Sequence, residues 1–210
     1  MTRFMKRHMS LMATLKVILV SLLGGVLMFG PAAAQIDQGQ AEEFTKTLVL
    51  ELGEIAQNET LSDEAQNTAF REALERRLAA ESIGKFLFKG VPEELPTPAQ
   101  IETYNQLFPS YIAAAFASQI GGLAERQINV TDSRVRGDKE VIVRSELVNK
   151  KGQKKASIDW RVRWIDGQPR LLDVLVERTS PLVSKRQEFS SLAKRKGVDA
   201  ILTHMKTTIN

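Results

Sequence analysis

The 210-residue chain has no cysteine. Disulfide frameworks, thiolate metal sites and thiol nucleophiles are therefore excluded, and the fold must be held by core burial alone. Histidine is nearly as scarce. Beyond residue 34 only His204 remains, near the end of the last helical segment, where a lone imidazole reads as a surface residue rather than a general base. There is no Ser-His-Asp set, no histidine cluster of zinc spacing, no P-loop and no dinucleotide fingerprint. Aromatic residues make up 6% of the chain, with two tryptophans and two tyrosines. Long apolar runs are also missing: the run from Val17 to Phe29 is shorter than the ~20 residues that span a bilayer. It follows Arg3, Lys6, Arg7 and Lys16 with no acid among them, and precedes Pro31-Ala32-Ala33-Ala34. This pattern reads as a secretory signal peptide over residues 1–34, cleaved after Ala34, with an uncleaved anchor as the alternative. No cysteine stands behind it to carry a lipid.

A strong charge of one sign is missing too. The formal net charge of +4 comes from 29 Lys and Arg against 25 Asp and Glu, and four of the basic residues precede residue 17. The mature chain is near neutral, so bulk electrostatics give no argument for nucleic acid. An exported, cysteine-free chain fits the bacterial periplasm.

What is present is concentrated in residues 156–177. Ala156, Ile158, Trp160, Val162 and Trp164 alternate with Ser157, Asp159, Arg161 and Arg163, a period of two that marks a strand with one buried and one wet face. Asp166-Gly167-Gln168-Pro169 turns the chain, and Leu172, Val174 and Val176 continue in a second strand. Both tryptophans lie on one face of this hairpin, which needs a large apolar cover. Two strands precede it, at about 126–134 with Ile128 and Val130, and at 140–149 with Val141, Val143 and Leu147. The loops between successive strands are short, which predicts an antiparallel meander.

Helices flank the strands. Phe44, Leu48, Leu52 and Ile55 share one helical face within 36–57, and Ser62 caps a helix carrying Phe70, Leu74 and Leu78. A short apolar helix over 81–89 holds Ile83, Phe86, Leu87 and Phe88. Thr97-Pro98-Ala99-Gln100 has the form of a capping box and opens a helix with a kink or break expected near 105–108, ahead of Pro109; Gly121-Gly122 ends it. After Ser180-Pro181 come two more helices divided at Gly197. Helices, then strands, then helices make an α+β fold. The expected organisation is one domain over 35–210, with a helical part at 35–122, the sheet at 126–178 and closing helices at 181–208.

Two chemical readings stay open. Asp159, Asp173 and Glu177 could supply a carboxylate pair, although a solvated strand face with Arg161 and Arg163 as partners explains them as well. Lys150, Lys151, Lys154 and Lys155 in one hairpin loop, and Lys185, Arg186, Lys194, Arg195 and Lys196 in the closing helices, are solvated faces singly. Together they could meet an acidic partner or anionic headgroups, at about 1 kcal/mol per residue near a charged membrane. A packed apolar core and a hollow one cannot be told apart by periodicity.

The run Trp160-Arg161-Val162-Arg163, Gly167, Leu172-Asp173-Val174-Leu175-Val176-Glu177 and Ser180 is similar to the strand pair of the MlaC family. Lys185-Arg186-Gln187-Glu188-Phe189 and Lys196-Gly197-Val198-Asp199-Ala200-Ile201 resemble that family's closing helices. Two places depart from its pattern. Glu177-Arg178-Thr179-Ser180 stands where Glu-Gly-[Val/Ile]-Ser is usual, and Ile83-Gly84-Lys85-Phe86 where Leu-Gly-[Arg/Lys]-Tyr is. The resemblance implies a periplasmic phospholipid-binding component of the Mla (toluene-tolerance) ABC transport system, which maintains outer-membrane lipid asymmetry. It also implies a sheet like that of nuclear transport factor 2, covered on one face by helices that enclose an apolar cavity. A soluble carrier is needed because exposing one 16-carbon chain to water costs on the order of 12 kcal/mol, at ~0.8 kcal/mol per methylene. The residues expected to line the cavity are Phe86, Phe88, Leu107, Tyr111, Phe116, Trp160, Val162, Val174 and Val176. Expected partners are a phospholipid, an inner-membrane ABC transporter complex and an outer-membrane lipoprotein complex, docked transiently by a monomer. No cofactor, metal, nucleic acid or catalytic residue is expected. The alternatives are a carrier of hopanoid or another isoprenoid lipid, and an envelope protein-binding adaptor without lipid.

Overall fold

The structure is a computed structural model and describes residues 37–93, 95–120, 127–149 and 151–209. The signal-peptide segment, the Gly121-Gly122 helix end and Lys150 lie outside them. The strand at the centre of the sequence argument, β3 (Lys154–Ile165), lies inside a four-stranded antiparallel sheet of order β1-β2-β3-β4. Its neighbours are β2 (Glu140–Val148) and β4 (Gln168–Val176), and β1 (Gln127–Arg136) forms one edge. The meander follows from tight turns. Asp166 and Gly167 have φ of 50° and 75°, the positive pair that a two-residue hairpin needs to match strand twist.

Register places Trp160 between Val143 and Val174, Val162 between Val141 and Leu171, and Ile158 between Ser145 and Val176. Cross-strand partners share a face, so these residues form the inner face of the sheet. Bulges at Thr131 in β1 and Leu172 in β4 each insert one residue and shift register. The outer edge of β4 is not left bare. Ala79 N–H donates to Leu171 O at 2.8 Å, and Leu171 N–H donates to Arg77 O at 2.8 Å, so residues 77–79 pair onto the sheet before the next helix begins.

Among the described residues six helices accompany the sheet: α1 (Gln38–Ala56), α2 (Asp63–Glu75), α3 (Ala80–Phe88), α4 (Pro98–Ile120), α5 (Pro181–Lys196) and α6 (Val198–Ile209). The capping residues read from sequence act as caps. Ser62 Oγ accepts from Ala65 N–H at 3.2 Å, Thr97 Oγ1 accepts from Gln100 N–H at 3.3 Å, and Gln100 Oε1 accepts from Thr97 N–H at 2.9 Å. Gln100 Nε2 also donates to Asp199 Oδ1 at 2.7 Å, tying the start of α4 to α6. Helix α4 continues through Pro109, where a kink or break was expected at 105–108. Asn105 and Pro109 are both exposed, so the carbonyl that proline deprives of its donor can be met by water.

Helix α1 lies along the sheet, with Gln38 Nε2 donating to Ser133 O at 3.0 Å and Ser133 Oγ donating to Glu42 Oε1 at 2.7 Å. One continuous core joins the inner sheet face to all six helices: Leu48, Phe70, Ile83, Tyr111, Phe189 and Ile201 bury with Trp160 and Val162. Helices α3 and α5 meet at Gly90. A β-carbon there would stand 2.9 Å from both Cγ and the backbone oxygen of Arg186. Gly90→Ala should therefore destabilise the fold by about 1–3 kcal/mol through overpacking. An unchanged urea midpoint would refute that.

Candidate functional site

The helix–sheet layer is built by the alternation of β3. Trp160, 1% exposed, is the largest side chain fully buried in it. Its Nε1 donates to Ser145 Oγ at 2.8 Å, and Ser145 Oγ donates on to Ile158 O at 3.3 Å, so the indole is buried with its one polar atom satisfied. Val162 and Val174 flank it, also buried, while Tyr111 and Phe116 reach the same core from α4. Phe86, Phe88 and Leu107 are half-buried and packed against this core. Val176 shares the inner face with Ile158 by register, yet it is 43% exposed at the last position of β4. The structure thus brings five of the nine expected residues into one layer, sets three on its boundary and leaves one at the solvent.

From that layer a string of rings leads outward. Phe189 stacks against Tyr111 with centroids 5.6 Å apart, Tyr111 against Phe108 at 6.0 Å, Phe108 against Tyr104 at 5.2 Å, and Tyr104 against Phe88 at 4.5 Å. Beyond Phe88 and Tyr104 an apolar groove of about 580 Å³ opens between α3, the residues Val91, Glu93 and Pro96, and the start of α4. Gly84, Phe88, Val91, Ile101 and Tyr104 form its walls, and Lys85, Lys89, Glu93 and Asn105 its rim. This size falls within the ~300–1,000 Å³ of small-ligand sites. Tyr104 OH donates to Gly84 O at 3.0 Å, and burial raises the phenol pKa of both Tyr104 and Tyr111 well above the ordinary tyrosine value. Tyr111 OH is buried with no hydrogen-bond partner. Gly84 is glycine for a reason of space, since a β-carbon there would sit 3.1 Å from the Phe108 ring. Ile101 and Tyr104 carry no signal in the sequence beyond a place on one helix. Their place on a groove wall comes from the neighbouring helix α3.

His204 is less superficial than its position suggested. Its ring packs edge-on against Tyr111 and Phe189, at 5.8 Å and 6.5 Å, with Nε2 3.5 Å from Glu188 Oε1. Among the described residues, no three His, Cys, Asp or Glu side chains are grouped to hold a metal.

The outer sheet face was expected to be wet, but it holds a half-buried ion network. Glu140 accepts from Arg161 Nη2 at 2.9 Å, from Arg163 Nε at 3.0 Å and from Arg163 Nη2. Burial pushes its carboxyl pKa up, but the two guanidinium groups outweigh this and hold it below the usual value. Asp173 accepts from Ser180 Oγ at 2.7 Å and from Val174 N–H at 2.9 Å, with Arg161 Nη1 at 3.8 Å; here burial wins and raises the pKa. Asp159 lies 4.0 Å from Arg144, and Glu177 accepts from Ser157 N–H at 2.6 Å. Each of the three carboxylates considered for acid–base work thus has structural partners. Of the basic clusters, Lys154 pairs with Glu146 and Lys185 with Glu188, both at 2.9 Å.

A family model described as MlaC protein matches residues 42–207. Among solved structures, the fold is similar to that of a phospholipid-binding protein from Ralstonia solanacearum determined in complex with a phospholipid. The TM-score is 0.64 and the identity 16%, and the match covers 81% of this chain and 97% of the other. At that identity the likeness speaks for the fold.

Proposed function

The chain belongs to the MlaC family, and from that premise we propose that it is a periplasmic carrier of glycerophospholipid, binding acyl chains and making or breaking no bond. The observation that carries the reading is the apolar groove at α3 and α4, whose walls Phe88 and Tyr104 begin a string of packed aromatic rings belonging to the same core as Trp160. Acyl carbon would enter between Phe88, Ile101 and Tyr104 and run inward past Phe86, Leu107, Tyr111 and Phe116. There it would meet the sheet wall of Trp160, Val162, Val174 and Val176 as the helices move apart. A phosphate at the mouth would lie near Lys85 and Lys89, which rim the groove at its wet end. Replacing water around a chain by these walls recovers about 0.8 kcal/mol per methylene, the driving force a soluble carrier requires. The lipid would be exchanged with an inner-membrane ABC transporter complex and an outer-membrane lipoprotein complex, after export by a signal peptide at residues 1–34. Among the described residues no helix is long and apolar enough to cross a membrane, which suits a shuttle.

Organic extraction and native mass spectrometry of the purified mature protein test this directly. A phospholipid should be recovered, and the lipid profile would reveal an isoprenoid cargo instead. Folded protein that carries no lipid and takes up no fluorescent phospholipid from vesicles would overturn the reading. Ile101→Arg places a charge on the groove wall at a residue 38% exposed, so it should abolish uptake with little change in thermal midpoint. Unchanged uptake by that variant would move the entrance elsewhere.

A further inference from the structure

The outer face of the sheet carries a feature that lipid binding does not use. Its residues line a concavity of about 680 Å³, walled by Arg134, Arg136, Arg144, Lys154, Arg161 and Arg178 with the carboxylates of Glu146 and Asp159 among them. Three of these cations are already engaged: Lys154 with Glu146 at 2.9 Å, Arg144 with Asp132 at 3.3 Å, and Arg161 with Glu140 at 2.9 Å. Arg161 is held by Glu140 but keeps a buried Nε without a partner. The guanidinium groups of Arg134, Arg136 and Arg178 have no ion pair among the described residues and are exposed. Arg134 and Arg136 are two apart on β1 and so point to the same side.

Arg178 stands out for a second reason. It follows β4 with φ of 63°, directly after Glu177 at φ 48°. Glycine would adopt this left-handed backbone freely, whereas a β-carbon is strained in it. Residues kept in such conformations concentrate where a side chain is needed. Here the side chain reaches the basic concavity.

We infer that this outer sheet face, with Arg178 at one end and Arg134 and Arg136 at the other, is a docking surface for an acidic segment of a protein partner. Span decides against a small anion. Three strand spacings and four residues of strand length separate the backbone at Arg134 from the Arg178 end, about 20 Å at standard sheet dimensions, so a single phosphate would leave most of the six cations unmatched. Shape and pattern decide against a bilayer. A flat, fluid headgroup layer cannot enter a concavity, nor can it match six cations interrupted by two fixed carboxylates. A folded or folding acidic chain can do both. This surface stands whether or not the groove on the opposite side of the molecule holds lipid.

The probe is a fluorescently labelled peptide of about twenty residues rich in glutamate, titrated by anisotropy with the full mature protein at low salt. Arg134→Gln with Arg136→Gln should weaken binding about tenfold, and Arg178→Gly by several-fold. Arg178→Gly should also raise the thermal midpoint by about 2–4 °C, because it relieves the strained backbone. Weaker binding by a more stable protein is a combination that loss of folding cannot produce. Lys194→Gln with Arg195→Gln and Lys196→Gln, on α5, should leave the affinity unchanged. Three results would overturn the inference: affinity indifferent to the outer-face substitutions, affinity that follows the α5 substitutions, or a lower midpoint for Arg178→Gly. Binding to phosphatidylglycerol vesicles that is lost with the outer-face substitutions, while the peptide stays bound, would assign the face to membrane and equally refute it.

Discussion

Trp160→Ala should lower the stability of the fold by about 3–5 kcal/mol, the range for emptying a fully buried tryptophan site. The indole is 1% exposed, on a strand paired on both sides, between Val143 and Val174. Ser145 Oγ would lose the donor it now accepts from at 2.8 Å, though its own bond to Ile158 O would persist. The loss should appear as a lower urea midpoint at unchanged slope. Phospholipid content supplies a second reading of the same variant. If acyl chains lie against this wall, the enlarged space should accept them at least as well as the parent does. A loss below about 1 kcal/mol would show that the indole is not packed as described.

Glu140→Gln should be the next most damaging change. Glu140 is 7% exposed, and its carboxylate is the shared acceptor for Arg161 and Arg163. Without its charge the two guanidinium groups stay half-buried beside each other, with only Asp173 near Arg161 at 3.8 Å. Breaking a buried pair from one side costs about 3–5 kcal/mol, and the partial exposure of both arginines brings the expectation to about 2–4 kcal/mol at neutral pH. The sign of the pH dependence follows from the direction of the shift. A carboxyl held below its unfolded value contributes stability above that unfolded value and loses it as pH falls through the folded one. The gap between parent and Glu140→Gln should therefore narrow under acid, at pH values below the ordinary carboxylate range. Asp173 shifts the other way. Its contribution is complete at low pH and is lost as pH rises through its folded value, so Asp173→Asn should be most damaging in acid and mildest near neutrality. Denaturation midpoints of the two variants across pH 3 to 7 would separate them, and parallel curves would refute the assignment.

These effects differ in how far they were visible beforehand. Trp160 announces itself, because alternation over residues 156–164 puts both tryptophans and Val162 on one face whatever the partner strands are. Glu140 carries no such signal. It meets Arg163 by register with β3, and a one-residue slip in that pairing would have sent it to the opposite face. Arg178 was visible as a departure from a familiar motif, but its left-handed backbone and its place in the basic concavity were not. Val176 shows the converse. Its period matches Val174, but its burial depends on what the rest of the fold packs over the end of β4, which no local pattern encodes.

By itself, then, the sequence determined the alternating strands, the capped helices, their order along the chain and the absence of cysteine chemistry. Each of these rests on residues within a few positions of one another, where periodicity and backbone preference act directly. Only the tertiary structure decided that residues 77–79 close the edge of β4, that Tyr104 and Phe88 open a groove, and that Glu140 joins two arginines more than twenty residues away. Those outcomes depend on register and helix placement, which the chain settles collectively by burying one continuous core.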